Sequence, residues 1–104
     1  MRSSFNRWVA VARDAGPVTV YAQKTRIVLQ NRVRFAGAVV HPTWVDAGIW
    51  LGRPVEHPRL VRTEAFGRLG FVHHFRLEQP TDIDSALEDL LQEAYAEHDA
   101  APRR

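Results

Sequence analysis

Apolar positions near the start of the chain recur with a helical period. Phe5, Trp8, Val9 and Ala12 fall at i, i+3, i+4 and i+7 and so share one face. Ser3 and Ser4 stand where a helix start favours a hydroxyl. Gly16 suits a left-handed position just past a helix end, and Pro17 stops continuation, which predicts a first helix over residues 4–15. The period then changes to two. Residues 18–22 and 26–30 alternate and are rich in β-formers, with a turn at Gln23-Lys24-Thr25 between them. Residues 33–40 read as a third strand in which Val33, Phe35, Gly37 and Val39 share a face. Residues 44–51 read as a fourth, with Val45, Ala47, Ile49 and Leu51 on one side. Residues 54–70 show no period: 60–66 fit a short strand, a helical turn or irregular chain. Residues 71–77 form a further strand, ended by Pro80.

The final element is the most regular. Ile83, Leu87, Leu90, Leu91, Ala94 and Tyr95 make a continuous stripe at helical spacing, with Thr81 as the predicted cap and Asp84 three residues on. Such a face must be buried, and the sheet is the only sizeable partner. Consecutive strands with short connections favour a meander over crossover units. The expected fold is therefore α+β, a four- or five-stranded antiparallel sheet with the N- and C-terminal helices packed on one face. Residues 1–98 form one domain and 99–104 a flexible tail.

Composition narrows the chemistry. The chain has 104 residues, enough for a core without staples, and no cysteine, which excludes disulfides, thiolate metal sites and a cysteine nucleophile. No apolar run approaches the ~18 residues of a membrane span. The first thirteen residues are basic and free of acids, as in organellar presequences, but their apolar stripe assigns them to the core. The formal net charge of +2 hides an asymmetry: residues 1–76 carry +8 and residues 77–104 carry −6. Self-complementation of an acidic helix by a basic sheet explains this without a partner, whereas a basic surface for anions is the functional reading.

Two sets of runs occur in order: Gly16-Pro-Val-Thr-Val, Gln23-Lys-Thr-Arg-Ile-Val and Arg34-Phe-Ala-Gly, then Glu56-His-Pro-Arg, Val72-His-His-Phe-Arg-Leu, Asp82-Ile-Asp and Glu93-Ala-Tyr. On these the chain resembles the bacterial family catalogued as domain of unknown function 5655, over about residues 5–96. The resemblance implies a small stand-alone protein or module and a cytoplasmic setting. It implies no activity.

Strand parity supplies the remaining candidates. If Val18, Val20, Ile27, Leu29, Val33, Phe35, Val45, Ile49, Phe75 and Leu77 face the helices, then Tyr21, Arg26, Arg34, Trp50, His74 and Arg76 emerge opposite. Arginine forks suit phosphate or carboxylate, and aromatic rings suit stacking. The expected ligand contacts are Lys24, Arg26, Arg34, Trp50, His74 and Arg76, in a non-catalytic binding module for an anion: nucleic acid, a phosphorylated molecule or an acidic protein segment. The plainer reading is a solvated face with arginine stems over Trp50. His73 and His74 point to opposite faces and cannot readily share a metal, so no metal and no cofactor is expected. Two alternatives stand beside this one. His57, Arg59 and His74, gathered at one end of the sheet, would make a small acid/base and anion site. The uncovered face or a sheet edge would make a homodimer.

Overall fold

The computed structural model describes residues 2–23, 26–30, 34–65 and 70–100. In chain order these form helix α1 (Arg2–Ala15), strands β1 (Thr19–Gln23), β2 (Arg26–Gln30), β3 (Arg34–Val40), β4 (Val45–Leu51), β5 (Leu60–Ala65) and β6 (Phe71–Leu77), and helix α2 (Ser85–Ala100). A short 3-10 turn, Pro80–Asp82, precedes α2. All strand pairs are antiparallel and build one open six-stranded sheet in the order β1-β2-β3-β4-β6-β5. The α+β class and the flanking helices are as expected, but the sheet has six strands rather than four or five.

The added strand lies in the stretch without a period. The chain leaves β4, passes the far edge of the sheet as β5, and returns as β6 between β4 and β5. The meander therefore holds only through β4. β5 is an edge strand exposed along nearly its whole length, so no buried face imposes alternation on its residues. Its register shifts between Leu60 and Arg62, and the displaced Val61 is exposed. Such a bulge, with Arg62 and Glu64 beyond it, discourages further strand pairing at this edge.

α2 packs on β3, β4 and α1, and α1 reaches β4. Between helices and sheet lie the fully buried Trp8, Leu29, Phe35, Ile49, Leu51, Phe75, Leu77, Leu87 and Leu91. Trp8 donates its indole N–H to the Gly37 carbonyl, which ties α1 to the sheet backbone (3.2 Å). Tyr95 meets Phe35 edge-on at 5.2 Å and donates its hydroxyl to the Pro17 carbonyl. A Cβ on Gly16 would collide with that hydroxyl. Gly16 has φ 155°, outside the left-handed well expected of it yet in a region that L side chains rarely adopt, so both the backbone and the close approach of Tyr95 require glycine there.

Two local expectations are corrected. First, Phe35 does not share a face with Gly37 and Val39. β3 carries an extra residue where Leu29 pairs with Ala36 and Gln30 with Arg34. This bulge turns Phe35 into the core beside Ala36, while Gly37 and Val39 stay on the bare face. Val33 lies outside the described residues. Second, α2 is capped by Asp84 rather than Thr81: its Oδ1 accepts the Leu87 N–H at 2.8 Å. Asp82 is already committed, its Oδ2 accepting the Glu78 and Gln79 N–H groups, which folds that segment into the preceding tight turn. Ile83 is thus outside the helix yet buried.

Candidate ligand site on the open sheet face

Across the face opposite the helices, one row of paired residues runs Tyr21, Val28, Gly37, Gly48, His74, Arg62. The two central strands contribute glycine to this row, which leaves a strip of backbone with no side chain over it. Glycine inside a strand commonly marks a close approach. Trp50, on β4, leans over this strip: a Cβ built on Gly37 would sit 3.8 and 4.0 Å from two carbons of its ring.

The result is a depression of ≈ 120 Å³ floored by Gly37 and Gly48. That volume is on the order of a cavity that holds one benzene-sized ring. Trp50, Val72 and Val39 make its apolar walls; Arg26, Arg62 and His74 make its basic rim, with Asp46 beside them. Arg26 comes from β2 and Arg62 from β5, so the two guanidinium groups approach from opposite flanks of the sheet.

His74 sits between two carboxylates. Its Nδ1 lies 3.0 Å from Asp46 and its Nε2 3.1 Å from Glu64. A neutral imidazole has one bare nitrogen, which would face a carboxylate lone pair; the imidazolium donates at both ends. The Asp46 hydrogen bond accordingly raises the His74 pKa above its ordinary 6.5; burial opposes it and the Glu64 hydrogen bond adds to it. Burial pushes the Asp46 carboxyl up, but His74, with Arg62 and His41 nearby, outweighs this and holds it below the usual value. Glu64 is also lowered, chiefly by the His74 hydrogen bond, with Arg62 and Arg26 contributing through their charge.

The expected contact residues divide. Arg26, Trp50 and His74 are brought together around the depression. Arg76 shares their face but is held at the sheet end, its Nε donating to Glu78 at 2.9 Å and its guanidinium 4.2 Å from the Trp44 ring. His41 stacks on the same indole at 4.1 Å. Arg34 pairs with Gln30, does not line the depression and makes contacts of its own. Lys24 lies outside the described residues. His57, Arg59 and His74 are not gathered: Arg59 pairs with Asp82 at 2.9 Å, and His57 accepts the Arg59 N–H at Nδ1 and turns Nε2 to Asp84. The His57 ring packs edge-on against core Phe75, on the helix side, whereas His74 emerges on the other face. His73 also stays on the helix side, hydrogen-bonded to Thr63 and the Arg53 carbonyl.

Sequence reasoning missed Asp46, Glu64 and Arg62. The last two belong to β5, for which no face was assignable. The aligned glycines Gly37 and Gly48 were the signal that could have located the depression. Among the described residues no group of three or more His, Asp or Glu could hold a metal ion. Nor is any helix there long and apolar enough to cross a membrane.

Fold and face together define an α+β layer protein with two helices on one side of an antiparallel sheet and a ring-sized basic depression on the other. The chain belongs to the family described as domain of unknown function (DUF5655), whose model matches residues 9–98. No curated protein and no solved structure matches it.

Proposed function

We propose that this domain is a non-catalytic binding module whose open sheet face takes a small anionic ligand carrying a flat ring. The observation that carries this reading is the depression itself: Arg26 and Arg62 converge on it from opposite flanks, Trp50 stands over it, and its glycine floor lets a ligand approach the backbone. Size favours a single small molecule over a nucleic-acid strand, which needs successive stacking platforms. Trp44, at the sheet end, carries His41 and Arg76 on its ring system. Binding is favoured over general-base catalysis because both His74 nitrogens face carboxylates, leaving no bare nitrogen to take a proton. The family resemblance supports a cytoplasmic setting for this role.

The test is a titration of isotope-labelled protein with benzoate, phenyl phosphate and a short single-stranded oligonucleotide at low salt, read by amide and indole NMR shifts. The expected result is a saturable shift at Gly37, Gly48 and the Trp50 indole with a small anion, weakened about five- to tenfold by Arg26→Ala or Arg62→Ala, the worth of one charge-assisted contact. Shifts confined to other surfaces, or none with either small anion, overturn the reading. Oligonucleotide binding alone, with a steep salt dependence, transfers the face to nucleic acid.

A further inference from the structure

Resting on that site, we propose that Glu64 is a built-in stand-in for the ligand's charged group, and that the group which displaces it is a phosphate monoester. The two carboxylates on His74 are not equivalent. Asp46 is held on the central strand β4, and its side chain and that of His74 are only 15% and 13% exposed. Glu64 is on the edge strand, is 45% exposed, and reaches His74 with a longer and freer side chain. Its second cationic neighbour is Arg62, two residues back on the same strand at 3.6 Å. Asp46 is the fixed partner, therefore, and Glu64 the exchangeable one.

The position Glu64 occupies is an oxyanion position. Its carboxylate accepts from His74, lies against Arg62, and feels the charge of Arg26 across the floor of the depression. Among the described residues Arg26 has no carboxylate within ion-pair distance, so its fork is available to an incoming group. When Glu64 swings out to solvent, the charges left facing that position among the described residues are Arg26 on β2, Arg62 on β5 and His74 on β6, opposed by Asp46 on β4. β3 contributes only the uncharged Gly37, Ala38 and Val39 there. His41 acts on Asp46 from the β3–β4 connection, and Arg76, on the same face, is turned to Glu78. Three cations against one anion call for a dianion. A phosphate monoester is one above its second pKa of about 6, whereas a monocarboxylate is not. The adjacent Trp50, Val72 and Val39 walls supply the apolar half, so the fitting ligand is a phosphate ester of an aromatic or heteroaromatic group.

The experiment compares wild type, Glu64→Gln and Glu64→Ala, each titrated with phenyl phosphate and with benzoate at pH 7 and followed at Gly37, Gly48 and the His74 ring. Removing the internal competitor tightens phenyl phosphate about fivefold or more, the reach of an exposed ion pair. Benzoate stays weaker than phenyl phosphate in every protein. Glu64 is exposed on an edge strand, so both variants fold; thermal melting verifies it. Unchanged or weaker phenyl phosphate binding in both variants, with Arg62→Ala still damaging it, sinks the stand-in role and leaves the site intact. Benzoate equal to phenyl phosphate in Glu64→Gln sinks the phosphate assignment. No shift with either anion in any protein removes the site itself.

Discussion

His73 and His74 are neighbours on β6 and share nothing else. His73 is fully buried on the helix side. Its Nε2–H donates to the Arg53 carbonyl at 2.9 Å and its Nδ1 accepts the Thr63 hydroxyl at 3.1 Å, an arrangement that suits the neutral ring. Burial lowers its pKa below the ordinary 6.5, against the pull of the Arg53 carbonyl and with help from the charges of Arg53 and His74. His74, one residue on, is turned to the open face and held between Asp46 and Glu64, which favours the charged ring. The same side chain is a structural tie on one side of the strand and a cationic rim on the other. What separates them is strand parity together with what each face carries: helices and a carbonyl behind, carboxylates and arginines in front.

The largest effect expected from this contrast is on stability. His73→Ala leaves a buried cavity and orphans the Thr63 hydroxyl and the Arg53 carbonyl, costing about 2–4 kcal/mol in a urea unfolding curve. His74→Ala removes a side chain only 13% exposed, but its carboxylate partners rehydrate from the open face, so it costs less, about 1–2 kcal/mol at neutral pH. Equal losses would break the comparison. Next in size is the helix cap that closes the His73 side: Asp84→Ala removes the acceptor for Leu87 N–H and the partner of His57, for about 1–2 kcal/mol by the same unfolding measurement.

The two histidines also oppose one another in pH. The His74 contribution is full below its unfolded value of 6.5 and is lost as pH rises through its raised folded value. The His73 contribution is full above 6.5 and is lost as pH falls from there through its lowered folded value. NMR titration of the two rings should therefore find one midpoint on each side of 6.5. Asp46→Asn, which removes the first cause of the upward shift, should bring His74 down while leaving His73 in place. Two midpoints on the same side would refute the opposed environments.

The smallest expected change in stability sharpens the functional half. A Cβ on Gly48 meets only a Val72 methyl at 3.8 Å, so Gly48→Ala should alter stability by about 0.5 kcal/mol or less. It nevertheless raises the floor of the depression, and binding of the small aromatic anion should fall severalfold in the same NMR titration. Gly37 differs: its Cβ would come within 2.9 Å of the Ile27 carbonyl, so substitution there strains the sheet as well. Unaltered binding in Gly48→Ala would move the ligand off the central strip.

Much of this was legible in the residues. The helix-period stripes through Trp8 and Leu87, and the alternation in β2, β4 and β6, assign faces without knowledge of any partner. The emergence of Arg26, Trp50 and His74 away from the helices follows from that alternation. The site was only half legible, because Arg62 and Glu64 sit on an edge strand whose residues answer to solvent on both sides. Phe35 was assigned to the correct face by the wrong company, since a bulge leaves no mark on a simple alternation.

By itself, then, the sequence determined the elements with a buried face and which of their side chains point inward, because that information is local and periodic. Only the tertiary structure decided that β6 inserts between β4 and β5, that Gly37 and Gly48 lie abreast, and that Glu64 meets His74 from across a strand pair. Those facts depend on pairing and register between residues far apart in the chain, and chain-local hydrophobicity carries no term for either.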